Sequence, residues 1–126
     1  MPYSTEFVDN NRGVIHTGQG VVLGTEILAG AIALHAHAST LRHGLVDLTD
    51  VEELHISTAE LQLIAAENQK TARIATAVVV AVAASGNLAY GLSRMWEVFA
   101  ESTGWVINVT RSRVEAEAWL RLRKIR

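Results

Sequence analysis

The chain has 126 residues, 49% of them apolar, with a formal charge of −2 and no cysteine. That length and apolar content suit one folded domain and exclude a disordered chain. The small net charge excludes a strong overall field toward nucleic acid, and the lack of cysteine excludes disulfides, thiolate catalysis and cysteine-ligated zinc.

The opening stretch MPYSTEFVDN has no basic segment followed by an apolar run, so no signal peptide is expected. Tyr3, Thr5 and Phe7 alternate with polar residues, as in a strand with one buried face. DNNRG, residues 9–13, is turn chemistry, and residues 14–17 follow as a second strand, so residues 3–18 predict a β-hairpin. GQGVVLG then places Gly18, Gly20 and Gly24 between a strand and a helix. With Asp47 ending the next strand, this is a loose version of a dinucleotide fingerprint, one residue off the G-x-G-x-x-G spacing. The preceding strand belongs to a hairpin, and the chain has no room for two mononucleotide halves, so a nucleotide-binding protein or small hydrolase is an alternative reading only.

Thr25 is the expected N-cap of a helix running to about Leu41, with Leu28, Ala31, Ile32, His35 and Ala38 on one face. HAHASTLRH supplies His35, His37 and His43. A helical metal pair needs histidines four apart, and these are spaced otherwise, so no metal is expected. His35 on the apolar stripe suggests a core or pocket-lining imidazole, and an enzyme using His35 or His16 as general base is the competing class.

HGLVDL predicts a short strand, and AELQLIAAENQK a helix with Leu61, Ile64 and Ala65 inward. The start of that helix lies in HISTAEL. With Ser57 as N-cap, Glu60 completes a capping box, and Ile56 and Leu61 occupy the positions of a hydrophobic staple. A structural role therefore explains four residue types, whereas phosphorylation of Ser57 or Thr58 explains one. IATAVVVAVAA, residues 74–84, is the longest apolar run; it is too short to span a bilayer and suggests a strand buried on both faces.

NLAYGLSRMWEVFAES predicts a helix with a stripe of Leu88, Leu92, Met95, Trp96 and Phe99, ended by Gly104. Tyr90, Arg94 and Glu97 share its polar face, either as a solvated surface with an ion pair or as a polar rim. WVINVT is the last strand. Ser112 and Glu115 box the final helix, whose expected inward residues are Val114, Ala118, Trp119 and Leu122. Six of the eleven basic residues, Arg111, Arg113, Arg121, Arg123, Lys124 and Arg126, crowd the last sixteen positions, either to complement the final helix dipole or to meet an anion or acidic partner. The order β-β-α-β-α-β-α-β-α predicts a single α/β domain: an N-terminal hairpin, then alternating units on a five-stranded, mostly parallel mixed sheet with about four helices.

GLVDLTDVEEL, an apolar strand ending in Asp before a helix, resembles the central strand of the STAS or SpoIIAA-like superfamily. AYGLSRMWEVFAESTGWVINVTRSRVEAEAWL resembles the C-terminal half of a branch of small bacterial SpoIIAA-like proteins, through Arg94, Met95 and Trp96 and then Glu117, Ala118, Trp119 and Leu120. The resemblance spans nearly the whole chain, and the fold is similar to lipid-transfer domains of the CRAL-TRIO type. With no signal peptide or spanning segment read, a cytoplasmic protein is expected, and the resemblance together with the lack of a legible catalytic arrangement leads to the expectation of a non-enzymatic SpoIIAA-like module without cofactor, binding a protein partner or a small apolar, lipid-like ligand. Its ligand or partner surface would draw on His35, Tyr90, Arg94 and Trp96. Anti-sigma-factor antagonists of the superfamily carry Asp-Ser-Ser/Thr-Gly at the helix start. Here His55 and Ile56 stand where the Asp and the phosphorylated Ser belong, and Ala59 or Thr58 replaces the Gly, so the phosphoacceptor motif is absent and a phosphorylation switch is an alternative reading only. Trp96, Trp105, Trp119, Met95 and Phe99 form an expected C-terminal aromatic group, any exposed part of which would suit a homodimer surface.

Overall fold

Five strands and four helices alternate in the computed structural model, which describes residues 2–124, Lys124 without its side chain. Arg126 and the Lys124 side chain of the C-terminal basic cluster lie outside the described residues. Strand β1 (Tyr3–Val8) pairs antiparallel with β2 (Gly13–Leu23). Strands β3 (His43–His55), β4 (Val79–Ala83) and β5 (Val106–Thr110) then add in parallel, giving the order β1-β2-β3-β4-β5. The turn between β1 and β2 takes left-handed geometry at Asp9, Asn10 and Asn11, residue types that tolerate it.

Each parallel connection carries a helix: α1 (Gly24–Ala33), α2 (Thr58–Ala72) and α3 (Asn87–Phe99). These pack on one face of the sheet, against Val14, Leu48, Val80, Val82 and Val109. Helix α4 (Arg113–Lys124) covers the other face, where Leu45, Ala81 and Ala83 meet Ala116 and Leu120. The valine-rich run thus contributes Val80 and Val82 to one layer and Ala81 and Ala83 to the other, the pattern of a strand covered on both sides.

Several boundaries differ from expectation. The hairpin's second strand does not stop at residue 18; β2 continues through the glycine stretch to Leu23. β3 likewise runs 13 residues rather than six. The two extend together past the end of β4, with register shifts between Thr17 and Gln19 and between Gly20 and Val21. Those bulges break the two-residue alternation, which hides the strand in the sequence. β4 begins only at Val79, and Ile74 is exposed on the preceding turn.

Helix α1 starts at Gly24 with Leu23, not Thr25, at the cap: Glu26 Oε1 accepts the Leu23 N–H at 3.0 Å. It ends at Ala33 and tightens into a 3-10 turn, Leu34–His37, instead of running to Leu41. Helix α3 stops at Phe99, and a second 3-10 turn, Glu101–Thr103, intervenes before left-handed Gly104. Its stripe is also narrower than expected, since Leu88 and Met95 face solvent.

The buried face of α4 is rotated from the expected one. Val114 and Leu122 are exposed, and Ala116 and Leu120 point inward. Two constraints set this rotation. The alanines of β4 admit a closely packed helix only where it presents a small residue, and Arg113 Nη1 reaches the buried Asp47 carboxylate at 3.1 Å. Burial pushes the Asp47 carboxyl up, but the Thr49 hydroxyl and amide together with Arg113 hold it below the ordinary carboxylate range.

The box at α2 forms as expected, and at α4 Ser112 caps the helix, with Glu115 bonded to its hydroxyl rather than to its backbone N–H. Glu60 N–H donates to Ser57 Oγ at 3.1 Å and Ser57 N–H to Glu60 Oε1 at 2.9 Å. At α4 the Glu115 N–H reaches Ser112 Oγ at 3.2 Å, and that hydroxyl donates to Glu115 Oε1. Substituting Ser57→Ala should lower unfolding free energy by about 1 kcal/mol with an unchanged urea slope. Urea denaturation followed by circular dichroism checks this; a loss well under half that size would deny the cap its role.

Candidate functional site

The face of the sheet beneath α1, α2 and α3 is not fully packed. A cavity of about 100 Å³ lies there, floored by Val14, Val46, Val80 and Val82 and roofed by Ile27, Ala31, Leu61, Ile64 and Leu92. The extension of β3 closes one end with Leu48, Leu54 and Ile56, and Trp96 and Trp105 line the other walls. No Asp, Glu, Lys or Arg contributes to its lining.

The polar groups around it fall into two kinds. Some are held by neighbours: Trp96 Nε1 donates to Asn68 Oδ1 at 2.9 Å, Trp105 Nε1 to the Ala75 carbonyl at 2.8 Å, and Ser93 Oγ to the Ala89 carbonyl at 2.7 Å. Tyr3 and His16 form the second kind. They lie on adjacent strands, their rings stacked with centroids 5.6 Å apart. Helix α1 passes directly over them at Gly30, where a Cβ would stand 2.9 Å from Tyr3 Cε2 and 3.2 Å from His16 Nδ1. His16 Nδ1 is 2.9 Å from Thr5 Oγ1. Burial lowers the imidazole pKa from about 6.5 to about 4 and pushes the Tyr3 phenol up, so both are neutral at physiological pH.

The residues singled out in the sequence are dispersed by the fold. Of His35, Tyr90, Arg94 and Trp96, only Trp96 lines the cavity. His35 is exposed on the 3-10 turn, where its Nε2 lies 3.3 Å from both the Glu67 carbonyl and carboxylate, so it is neither a core nor a pocket-lining residue. Arg94 pairs with Glu97 at 3.2 Å, and Tyr90 lies under the Arg111 guanidinium at 3.8 Å. His37 packs on Phe7, and the buried His43 meets Asp9 at 3.1 Å. Among the described residues, no three metal-ligating side chains converge.

The tryptophans do not form one group. Trp96 and Trp105 belong to the cavity layer, Trp119 to the opposite layer, and Met95 to the surface. The glycine stretch also forms no phosphate loop. Gly18 is paired with Tyr3 inside β2, Gly20 sits in the bulged segment, and the Glu60 carboxylate lies over Gly24 at the start of α1. Two carboxylates, Glu26 and Glu60, therefore occupy the helix N-terminus where an anion would bind.

The aliphatic floor was legible in the valine run. The Tyr3–His16 pair was missed as a unit. Its signal was present: both residues fall on the inward parity of their strands, and Gly30 is the small residue that lets a helix approach them.

No family model and no curated protein matches the chain. A solved structure is similar to it: an uncharacterized protein of the DUF3478 family with a SpoIIAA-like fold, from Shewanella loihica PV-4. The likeness covers 94% of this chain and 91% of that one, at 16% identity and a TM-score of 0.57. The fold is therefore SpoIIAA-like, as the sequence resemblance implied. Among the described residues no helix is long and apolar enough to cross a membrane.

The desolvated imidazole makes stability depend on pH. The unfolded chain takes up the His16 proton near pH 6.5, but the folded chain does so only near pH 4. The contribution is therefore complete above pH 6.5 and is lost progressively as pH falls toward 4. Melting temperature should decline across that window, and His16→Gln should flatten the decline relative to wild type. Parallel slopes in the two proteins would refute this assignment.

Proposed function

We propose that this chain is a non-enzymatic SpoIIAA-like binding module whose site is the cavity between the sheet and helices α1, α2 and α3, and whose ligand is a small apolar molecule. The observation that carries the reading is the cavity itself, whose walls are aliphatic and aromatic and carry no charge. Sites for small molecules are concave and mostly apolar, with few polar groups. An engineered apolar cavity of about 150 Å³ stays dry and accepts benzene, so a void of this order takes a ligand of comparable or smaller size. Ser93, the one aliphatic hydroxyl of the lining, is held by the Ala89 carbonyl, and no carboxylate or amine faces the cavity to activate it, which favours retention over reaction. Native mass spectrometry of the protein purified from its own host should show an added small mass, released by organic solvent. Protein carrying no added mass, together with failure of small hydrocarbons to bind, would defeat the reading.

A second surface favours a protein partner, a second copy of this chain being the simplest. On α3, Leu88, Met95 and Val98 are all exposed at spacings of seven and three, on one side of the helix. Light scattering at tens of micromolar should then give twice the monomer mass, and Val98→Glu should return the monomer. A wild-type monomer at that concentration would count against the homodimer.

A further inference from the structure

The cavity is apolar but not featureless. Tyr3, His16 and Asn68 line it with relative exposures of 7%, 6% and 4%. Tyr3 Oη, His16 Nε2 and Asn68 Nδ2 have no hydrogen-bond partner among the described residues, while the other polar atoms of His16 and Asn68 do. No polar side-chain atom sealed off from solvent lacks a partner among those residues. These three atoms therefore keep some accessible surface, and all three residues line the cavity.

A buried polar group left unpartnered costs about 1–3 kcal/mol, so the site favours whatever supplies the missing bond. The chemistry of the three groups limits the choice. A phenol hydroxyl and a primary amide both offer donors. When the Thr5 hydroxyl donates to Nδ1, His16 Nε2 carries the ring proton and adds a second donor beside the Tyr3 hydroxyl, so this end of the site favours an accepting oxygen. With no cation in the lining, a carboxylate or phosphate would be buried without its countercharge.

We propose that the cavity selects an uncharged molecule carrying one hydrogen-bond-accepting oxygen, of the ketone or ester-carbonyl class, with the oxygen held by the Tyr3 hydroxyl beside His16 and the hydrocarbon part against the valine floor. This rests on the cavity being the ligand site. At about 100 Å³ the cavity allows roughly five non-hydrogen atoms, fewer than the six of benzene in a void of about 150 Å³.

Three probes of one shape separate the claims: butanone, 2-methyl-1-butene, in which CH2 replaces the oxygen, and propanoate, in which a charged oxygen replaces the methyl group. Their binding to the full chain at pH 7 can be followed by amide chemical-shift titration. Tyr3→Phe should weaken butanone roughly 3- to 10-fold and leave 2-methyl-1-butene unchanged. The carbonyl carbon resonance of 13C-labelled butanone should move downfield on binding to wild type, a readout that needs no variant. The carboxylate should not bind. If ketone and hydrocarbon both bind, but Tyr3→Phe treats them alike and the carbonyl resonance does not move, selection by the oxygen is overturned while apolar binding stands. Carboxylate binding as tight as the ketone overturns the uncharged class. If neither neutral probe binds wild type up to its solubility, the ligand site itself is refuted, and this inference with it.

Discussion

The parallel pairing of β2 with β3 is the constraint on which the rest of the molecule depends. It runs from Gly13↔His43 to Leu23↔His55, while β4 and β5 contribute five residues each. A central pair longer than its neighbours leaves a two-stranded extension that must bury one face somewhere. The register shifts opposite Leu48–Thr49 and at Glu52, where β3 carries one residue more than β2, redirect it, and Val22, Leu48, Val51 and Leu54 join the core under the helices. The same extension delivers the chain to Gly24 and to Ser57, so it positions the starts of both α1 and α2.

Unequal layers follow from this arrangement. One helix on the alanine side packs closely, because Ala81, Ala83 and Ala116 are all small. Three helices on the valine side must span five strands, and they leave a void. A void of about 100 Å³ costs roughly 2 kcal/mol at the usual dependence on cavity volume. Natural domains depart from close packing chiefly at functional sites, which is why the void carries the functional reading. The isolation of His16 and Tyr3 belongs to the same balance. Their desolvation is tolerated because Thr5 satisfies one ring nitrogen and the remaining groups face open space.

Polar chemistry elsewhere mostly completes secondary structure. Glu26, Ser57 with Glu60, and Ser112 with Glu115 satisfy helix N-termini, and Arg113 neutralises Asp47 where α4 docks. At α1 this has a functional corollary, since carboxylates fill the position that a phosphate-binding loop would keep open.

Much of this was readable from residue order alone. Strict strand–helix alternation, the box at Ser57, the inward set Leu61, Ile64 and Ala65, and the valine run were all local patterns, and local patterns are what propensity and periodicity report. What the sequence could not decide was long-range. The length of β3 depended on β2 lying beside it, through bulges that erase alternation. The rotation of α4 depended on alanines 35 residues earlier and on Asp47, and the exposure of His35 depended on α1 tightening into a 3-10 turn. The cavity, too, is a difference between two surfaces separated along the chain, so its existence and its Tyr3–His16 polar end were settled only by tertiary packing.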